Sequence, residues 1–170
     1  VINEIYRSYV EKDIAYLLRV ERIEAFGSLV KILAGQIGQL VNYAELSRTL
    51  DISLPTVKNY LWYAEKTFAI ERVTPYFRNP RKEITKSPVF YFHDLGLRNY
   101  AHGVFGADTP HEGGFLFQNF VYRALKDSLE LGETSLNFWR TKDKAEVDFV
   151  LNKGEDVVPV EVKYKDLRGP

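Results

Sequence analysis

The sequence predicts an α+β chain: helices first, then a helix-turn-helix with a following hairpin, then a smaller α/β unit. Three observations carry this prediction. Apolar residues recur at helical spacing over the first forty positions, capping signals stand at Asn42 and Ser53, and two alternating apolar runs near the C-terminus flank a Gly-bearing turn.

The first helical stripe comprises Ile2, Ile5, Tyr6, Tyr9, Val10, Ile14, Leu17 and Leu18. Its expected partner is a second helix with Phe26, Leu29, Val30, Leu33 and Ile37 on one side, and together they form an N-terminal segment over residues 1–40. Residues 41–105 read as a winged helix-turn-helix. Asn42 caps a helix with Glu45 three residues on and with Leu46 and Leu50 inward. Asp51, Ile52 and Ser53 make the turn, and Ser53 caps the second helix, which tolerates Pro55 in its first turn. Val57, Tyr60, Leu61 and Ala64 form the buried side, leaving Thr56, Lys58, Asn59, Tyr63 and Lys66 outward, where a recognition helix presents its side chains.

Residues 69–74 and 89–92 read as two strands joined by a long polar tip, the wing. Arg78, Arg81, Lys82 and Lys86 sit on this tip against Glu83, enough for a few phosphate contacts. Asp94 caps a short helix through Tyr100. His93, His102 and His111 are spaced nine residues apart, which fits no metal motif. The Gly-bearing stretch 101–114 is the expected module boundary. Beyond it, Leu116, Phe117, Phe120, Val121, Ala124 and Leu125 give an apolar helix expected to pack on a sheet made of residues 136–140 and the terminal hairpin.

That hairpin carries the candidate chemistry. With its turn centred between Gly154 and Glu155, Val147 faces Val162, Phe149 faces Val160 and Leu151 faces Val158, giving one apolar face. The other face sets Asp148 across from Glu161 and Glu146 across from Lys163, with the two opposed carboxylates about 5 Å apart at Cβ. Opposed like charges destabilise a hairpin, and two readings account for them. In one, Asp148 and Glu161 share a divalent cation with an oxygen-ligand preference, and Lys163 orients a metal-bound water or stabilises charge on phosphorus. In the other, Lys163 pairs with both acids on a solvated face and nothing is catalysed.

Asp148 followed by Glu161-x-Lys163 resembles the metal motif of the PD-(D/E)XK nuclease superfamily. The segments Tyr9-Val-Glu-Lys-Asp-Ile14, Pro55-Thr-Val-Lys-Asn-Tyr-Leu61, Tyr91-Phe-His-Asp-Leu-Gly-Leu97, Phe115-Leu-Phe-Gln-Asn-Phe-Val121 and Glu146-Val-Asp-Phe149, in this order, resemble the C-terminal half of a family of bacterial and archaeal AAA-type ATPases. The resemblance implies a P-loop ATPase domain upstream, then a winged helix, then a restriction-endonuclease-like α/β domain over residues 106–170. That last domain is expected to be truncated, because the fold normally continues past the Glu-x-Lys strand. The resemblance further implies Mg²⁺ or Mn²⁺ on Asp148 and Glu161, Lys163 positioning the attacking water, and a glutamate at the position of Gln118. Gln118 is neutral and offers only a carbonyl oxygen in support. The implied activity is metal-dependent phosphodiester hydrolysis; the alternative is a non-catalytic DNA- or protein-binding module regulating the upstream ATPase.

Composition bounds these readings. Twenty-three basic residues balance twenty-three acidic ones, so no global positive field draws the chain to nucleic acid and contact must come from local patches. There is no GxxxxGK loop, so ATP is expected only in the upstream domain. The 170 residues contain no methionine, which agrees with the C-terminal part of a longer protein. Absence of cysteine excludes disulfides and thiolate metal sites, and no long apolar run or leader appears, so a cytoplasmic protein without a membrane partner is expected. The strand bearing Glu161 and Lys163 is expected to be an uncovered edge, open to homo-oligomer formation with a second copy.

Overall fold

The structure is a computed structural model of the chain, and it describes residues 2–8, 20, 22–77, 79, 86–104, 110–129, 134–141 and 145–164. Helix α1 spans Ile2–Ser8. Tyr9, Val10, Ile14, Leu17 and Leu18 of the expected first stripe lie outside the described residues. Helix α2, Ile23–Gly35, buries Ala25, Phe26, Leu29, Val30, Leu33 and Ala34, the stripe its periodicity requires.

Helices α3 (Tyr43–Leu50) and α4 (Leu54–Lys66) begin as their caps dictate. Asn42 Oδ1 accepts the N–H groups of Ala44 at 3.0 Å and Glu45 at 3.3 Å, and Ser53 Oγ accepts that of Thr56 at 3.1 Å. Each cap stabilises its helix by about 1 kcal/mol. Asp51, at φ 50° in the left-handed region, turns the chain between the two helices.

Strand β1 (Ile70–Val73) pairs antiparallel with β2 (Val89–Phe92), with Ile70 opposite Phe92 and Val73 opposite Val89. All four residues of β2 are buried. Gly38 N–H bonds Phe90 O at 3.3 Å and Val41 N–H bonds Pro88 O at 2.9 Å, so the segment before α3 runs alongside this strand. Helix α5, Leu95–His102, starts on the Asp94 carboxylate, which accepts from Leu97 N–H at 2.6 Å, and ends at Gly103 in the left-handed region. It extends two residues past the expected Tyr100. It is also the neighbour of α1, through Tyr6 and Tyr100 rings 4.9 Å apart and a Tyr100 hydroxyl donating to Asn3. The described part of α1 therefore docks on α5 where α2 had been the expected partner.

Helix α6, Pro110–Ser128, lies over a three-stranded antiparallel sheet in the order β3 (Ser135–Arg140), β4 (Glu146–Lys153), β5 (Asp156–Val160). In the hairpin Phe149 opposes Val160 and Leu151 opposes Val158, the register expected from a turn at Gly154 and Glu155. Gly154 adopts φ 64° there. Helix α6 departs from expectation. Phe117 and Phe120 face outward, with Phe120 58% exposed, while Gln118, Asn119 and Tyr122 form the buried side. The inner face meets Phe92 backbone groups and Asp148, and these polar partners select the amides over the phenyl rings.

The stretch after β1 also departs from a simple polar wing tip. Phe138 N–H donates to Thr74 O at 3.3 Å, Tyr76 N–H donates to Phe138 O at 2.6 Å, and Pro75 is buried. Residues 74–76 thus pair along the free edge of β3, joining the two small sheets. Tyr91 stacks on Tyr122 at 4.4 Å, and both rings pack on Phe149 at 5.6 and 6.0 Å. One apolar core therefore runs from α2 to β4, across the sequence boundary at residues 101–114. No helix among the described residues is long and apolar enough to cross a membrane.

Candidate functional site

Asp148 stands on β4 beneath α6. Its Oδ1 accepts from Gln118 Nε2 at 2.6 Å and its Oδ2 accepts from Val162 N–H at 2.8 Å. A carboxylate only accepts, so the Gln118 amide turns its nitrogen to Asp148 and its oxygen away, against Gly38. Gly38 has φ +66°, the left-handed region that favours glycine, and a β-carbon there would push the Gln118 oxygen aside. Arg140 ties the same corner, donating from Nη2 to Gly38 O at 2.9 Å and pairing through Nε with Glu146 at 3.0 Å. Burial, with Asp148 and Glu146 adding negative charge, pushes the Tyr91 hydroxyl far above its ordinary value and keeps it neutral.

Asp148, Gln118, Glu146, Arg140 and Lys163 line one open cavity of about 320 Å³. Glu161 does not line it; its Oε1 holds Lys163 Nζ at 2.5 Å on the exposed side. That hydrogen bond, ahead of the Coulombic attraction of Glu161, Asp148 and Glu146, holds the Lys163 ammonium above its ordinary range. The opposition of Asp148 and Glu161 expected from the register is replaced because the observed β4–β5 ladder stops at Phe149 and Val160, and the Val162 N–H goes to the Asp148 side chain.

A Mg²⁺ or Mn²⁺ ion takes carboxylate oxygens whose lone pairs converge on one point. Each Asp148 oxygen accepts one protein N–H and keeps a second lone pair, but Gln118 presents a donor and Glu161 lies outside the cavity, so the expected Asp148–Glu161 pair does not converge on one cation. Among the described residues no group of three His, Cys, Asp or Glu side chains could hold a metal.

Of the residues expected to meet nucleic acid, Lys58 and Lys86 line a groove of about 640 Å³ between α4 and the β1–β2 hairpin. Asn59 is exposed on α4, and Arg78, Arg81 and Lys82 lie outside the described residues.

A second polar cluster joins the two halves. Glu71 on β1 meets Lys126 at 2.7 Å, His93 Nε2 at 3.6 Å and Arg123 at 3.8 Å; Arg123 also bonds Asp127 at 2.7 Å and His93 Nδ1 at 3.0 Å. Because Arg123 only donates, His93 Nδ1 is its acceptor and the Nε2 proton points to Glu71. Burial first, and then Arg123, lowers the His93 pKa, with Lys126 opposing protonation and Glu71 and Asp127 favouring it. The unfolded state therefore binds the proton more readily, so His93 costs nothing well above pH ~6.5 and destabilises the fold as pH falls through that value. Urea unfolding should show lower stability at about pH 5.5 than at about pH 7.5, and His93→Gln, which keeps an acceptor and a donor, should reduce that difference.

Residues 1–108 match a family described as Domain of unknown function (DUF8612). The chain belongs to that family. Residues 113–169 match a second description, Domain of unknown function (DUF4143), a domain found C-terminal to AAA-ATPase domains in many proteins. Similar proteins include an uncharacterized protein of Mycobacterium tuberculosis and one of Mycobacterium bovis, each 29% identical over 144 residues, covering 83% of this chain and 32% of the relative. An uncharacterized protein of Haemophilus influenzae is 26% identical over 173 residues, covering 97% of this chain and 40% of its own length. The chain thus spans about a third of the length of the first two curated relatives. No solved structure matches.

Sequence reasoning missed Asn119, Trp62 and the Glu71 cluster at the junction of the DUF8612 and DUF4143 segments. Asn119 left one signal, a second amide beside Gln118 within the apolar run from Phe115 to Val121. The partners of Glu71, itself on β1, come from the end of β2 and from α6, and no local spacing foretells them.

Proposed function

We propose that this chain is the nucleic-acid-binding C-terminal module of an AAA-type ATPase and that it serves the ATPase without cutting the strand. In this reading α3, α4 and the β1–β2 hairpin act as a winged helix, and the half from residue 106 onward is a nuclease-like domain whose acidic residue has been turned to structural use. The observation that carries the non-catalytic part is that Glu161 lies outside the Asp148 cavity, while Gln118, with a donor and no charge, faces Asp148 in its place. The DUF4143 match, in a domain that follows AAA-ATPase domains in many proteins, supports the attachment to an ATPase. Lys58 and Lys86, which pair with no described carboxylate, support the nucleic-acid part.

A catalytic reading, with Asp148, Glu161, Lys163 and Gln118 serving a metal-dependent phosphodiesterase, draws on one fact: Glu146, Asp148 and Lys163 share a cavity. The two separate in one experiment on the full-length protein. Labelled DNA should bind more weakly as salt rises, and Lys58→Ala or Lys86→Ala should each reduce the log–log salt slope by about one. Plasmid incubated with Mn²⁺ should stay intact. Metal-dependent cutting that disappears in Asp148→Ala would establish the phosphodiesterase, and salt-independent or absent binding would remove nucleic acid from the proposal.

A further inference from the structure

The groove beside α4 carries an aromatic side chain that the winged-helix reading does not require. Lys58, Trp62 and Lys66 follow one another at four-residue spacing, so they form a row along one side of α4 about 12 Å long. Trp62 is 51% exposed, an unusual setting for so large an apolar surface. Its indole is held in place: Tyr63 meets it edge-on at 5.5 Å, and Lys66 Nζ lies 5.8 Å from the ring centroid. Trp62 and Lys58 line one wall of the groove, and Lys86, on the hairpin, lines the other. The one carboxylate in that lining, Glu65, is paired with Arg72 at 3.6 Å. The walls therefore present an aromatic face flanked by two lysines with no described acidic partner, in a concavity of about 640 Å³.

We infer that this groove binds single-stranded nucleic acid, with an unpaired base stacked on Trp62 and the adjoining phosphates held by Lys58 and Lys86. Both components are sequence-tolerant, since every base offers a π-face and every nucleotide a phosphate. A duplex keeps its base faces stacked on one another and has none to give the indole, so the groove selects the unpaired strand. The inference rests on the nucleic-acid part of the proposed function and goes further in naming strand type and stacking residue.

Fluorescence anisotropy on the full-length protein, with a labelled oligo-dT and a duplex of equal length at one salt concentration, tests it. The single strand should bind at least tenfold tighter than the duplex. Trp62→Ala should weaken single-strand binding about tenfold and leave duplex binding unchanged, while Trp62→Phe, which keeps an aromatic face, should recover most of the affinity. Because Trp62 is on the surface, Trp62→Ala is expected to leave the Tm unchanged. Equal affinity for both DNAs, or single-strand affinity untouched by Trp62→Ala but lost with Lys58→Ala, would overturn the stacking assignment while sparing the nucleic-acid reading. Binding of neither DNA would overturn both. A Trp62→Ala variant that spares DNA binding but separates this module from the ATPase domain in co-purification would make the groove a protein contact, again overturning the assignment.

Discussion

Asn119→Leu is expected to lower the stability of the chain by about 3 kcal/mol, the largest loss for any near-isosteric change on α6. Asn119 is fully buried. Its Oδ1 accepts from Phe92 N–H at 2.8 Å and its Nδ2 donates to Phe92 O at 2.9 Å, so one side chain does for the end of β2 what a neighbouring strand would do. Leucine has a similar branched shape but is bulkier, and it leaves two buried backbone groups unpaired, each costing about 1–3 kcal/mol. Urea unfolding should show a lower midpoint with little change in slope, and the Tm should fall by about 10 °C. Phe120→Ser, one residue on but outward, should move stability by no more than about 0.5 kcal/mol. If the two variants behaved alike, the orientation of α6 would be wrong.

Gln118→Glu is expected to destabilise the protein by about 2 kcal/mol near pH 8. The change removes the donor that holds Asp148 Oδ1 at 2.6 Å and sets a second carboxylate in its place. Two carboxylates at that distance do not both ionise readily, so the new glutamate would have a raised pKa and keep its proton as a donor to Asp148. A group whose folded pKa is raised loses its contribution as pH rises, so the deficit should be small near pH 5 and grow toward pH 8. A deficit independent of pH would indicate that volume, and not charge, sets the cost.

The pattern of what could be read from the residues is physical. The terminal hairpin was legible to its register because Gly154 supplies the turn and the alternation of Phe149, Leu151, Val158 and Val160 leaves one pairing that sets them on the same face, with Phe149 buried in the core and Val158 exposed. The starts of α3, α4 and α5 were legible because Asn42, Ser53 and Asp94 act within three residues of themselves. The failures are all nonlocal. Pairing of residues 74–76 with Phe138, docking of α1 on α5, and the outward turn of Phe117 and Phe120 depend on which distant backbone groups need partners. The site follows the same rule. Asp148, Gln118 and Lys163 line one cavity, but Glu161 leaves the group because a side-chain acceptor, Asp148, captures the Val162 N–H that a longer ladder would have used. The resemblance implied a glutamate where Gln118 stands, and the role of the amide became visible only once Nε2 was seen facing the carboxylate.

Thermal unfolding with and without millimolar Mn²⁺ addresses the Asp148 arrangement most directly, since a cation bound only by the folded state raises Tm in a saturable way. The wild-type protein should show no Mn²⁺-dependent rise, whereas Gln118→Glu, with two carboxylates facing one point, should show one. A saturable rise in the wild type that vanishes in Asp148→Asn would mean that Asp148 is a metal ligand.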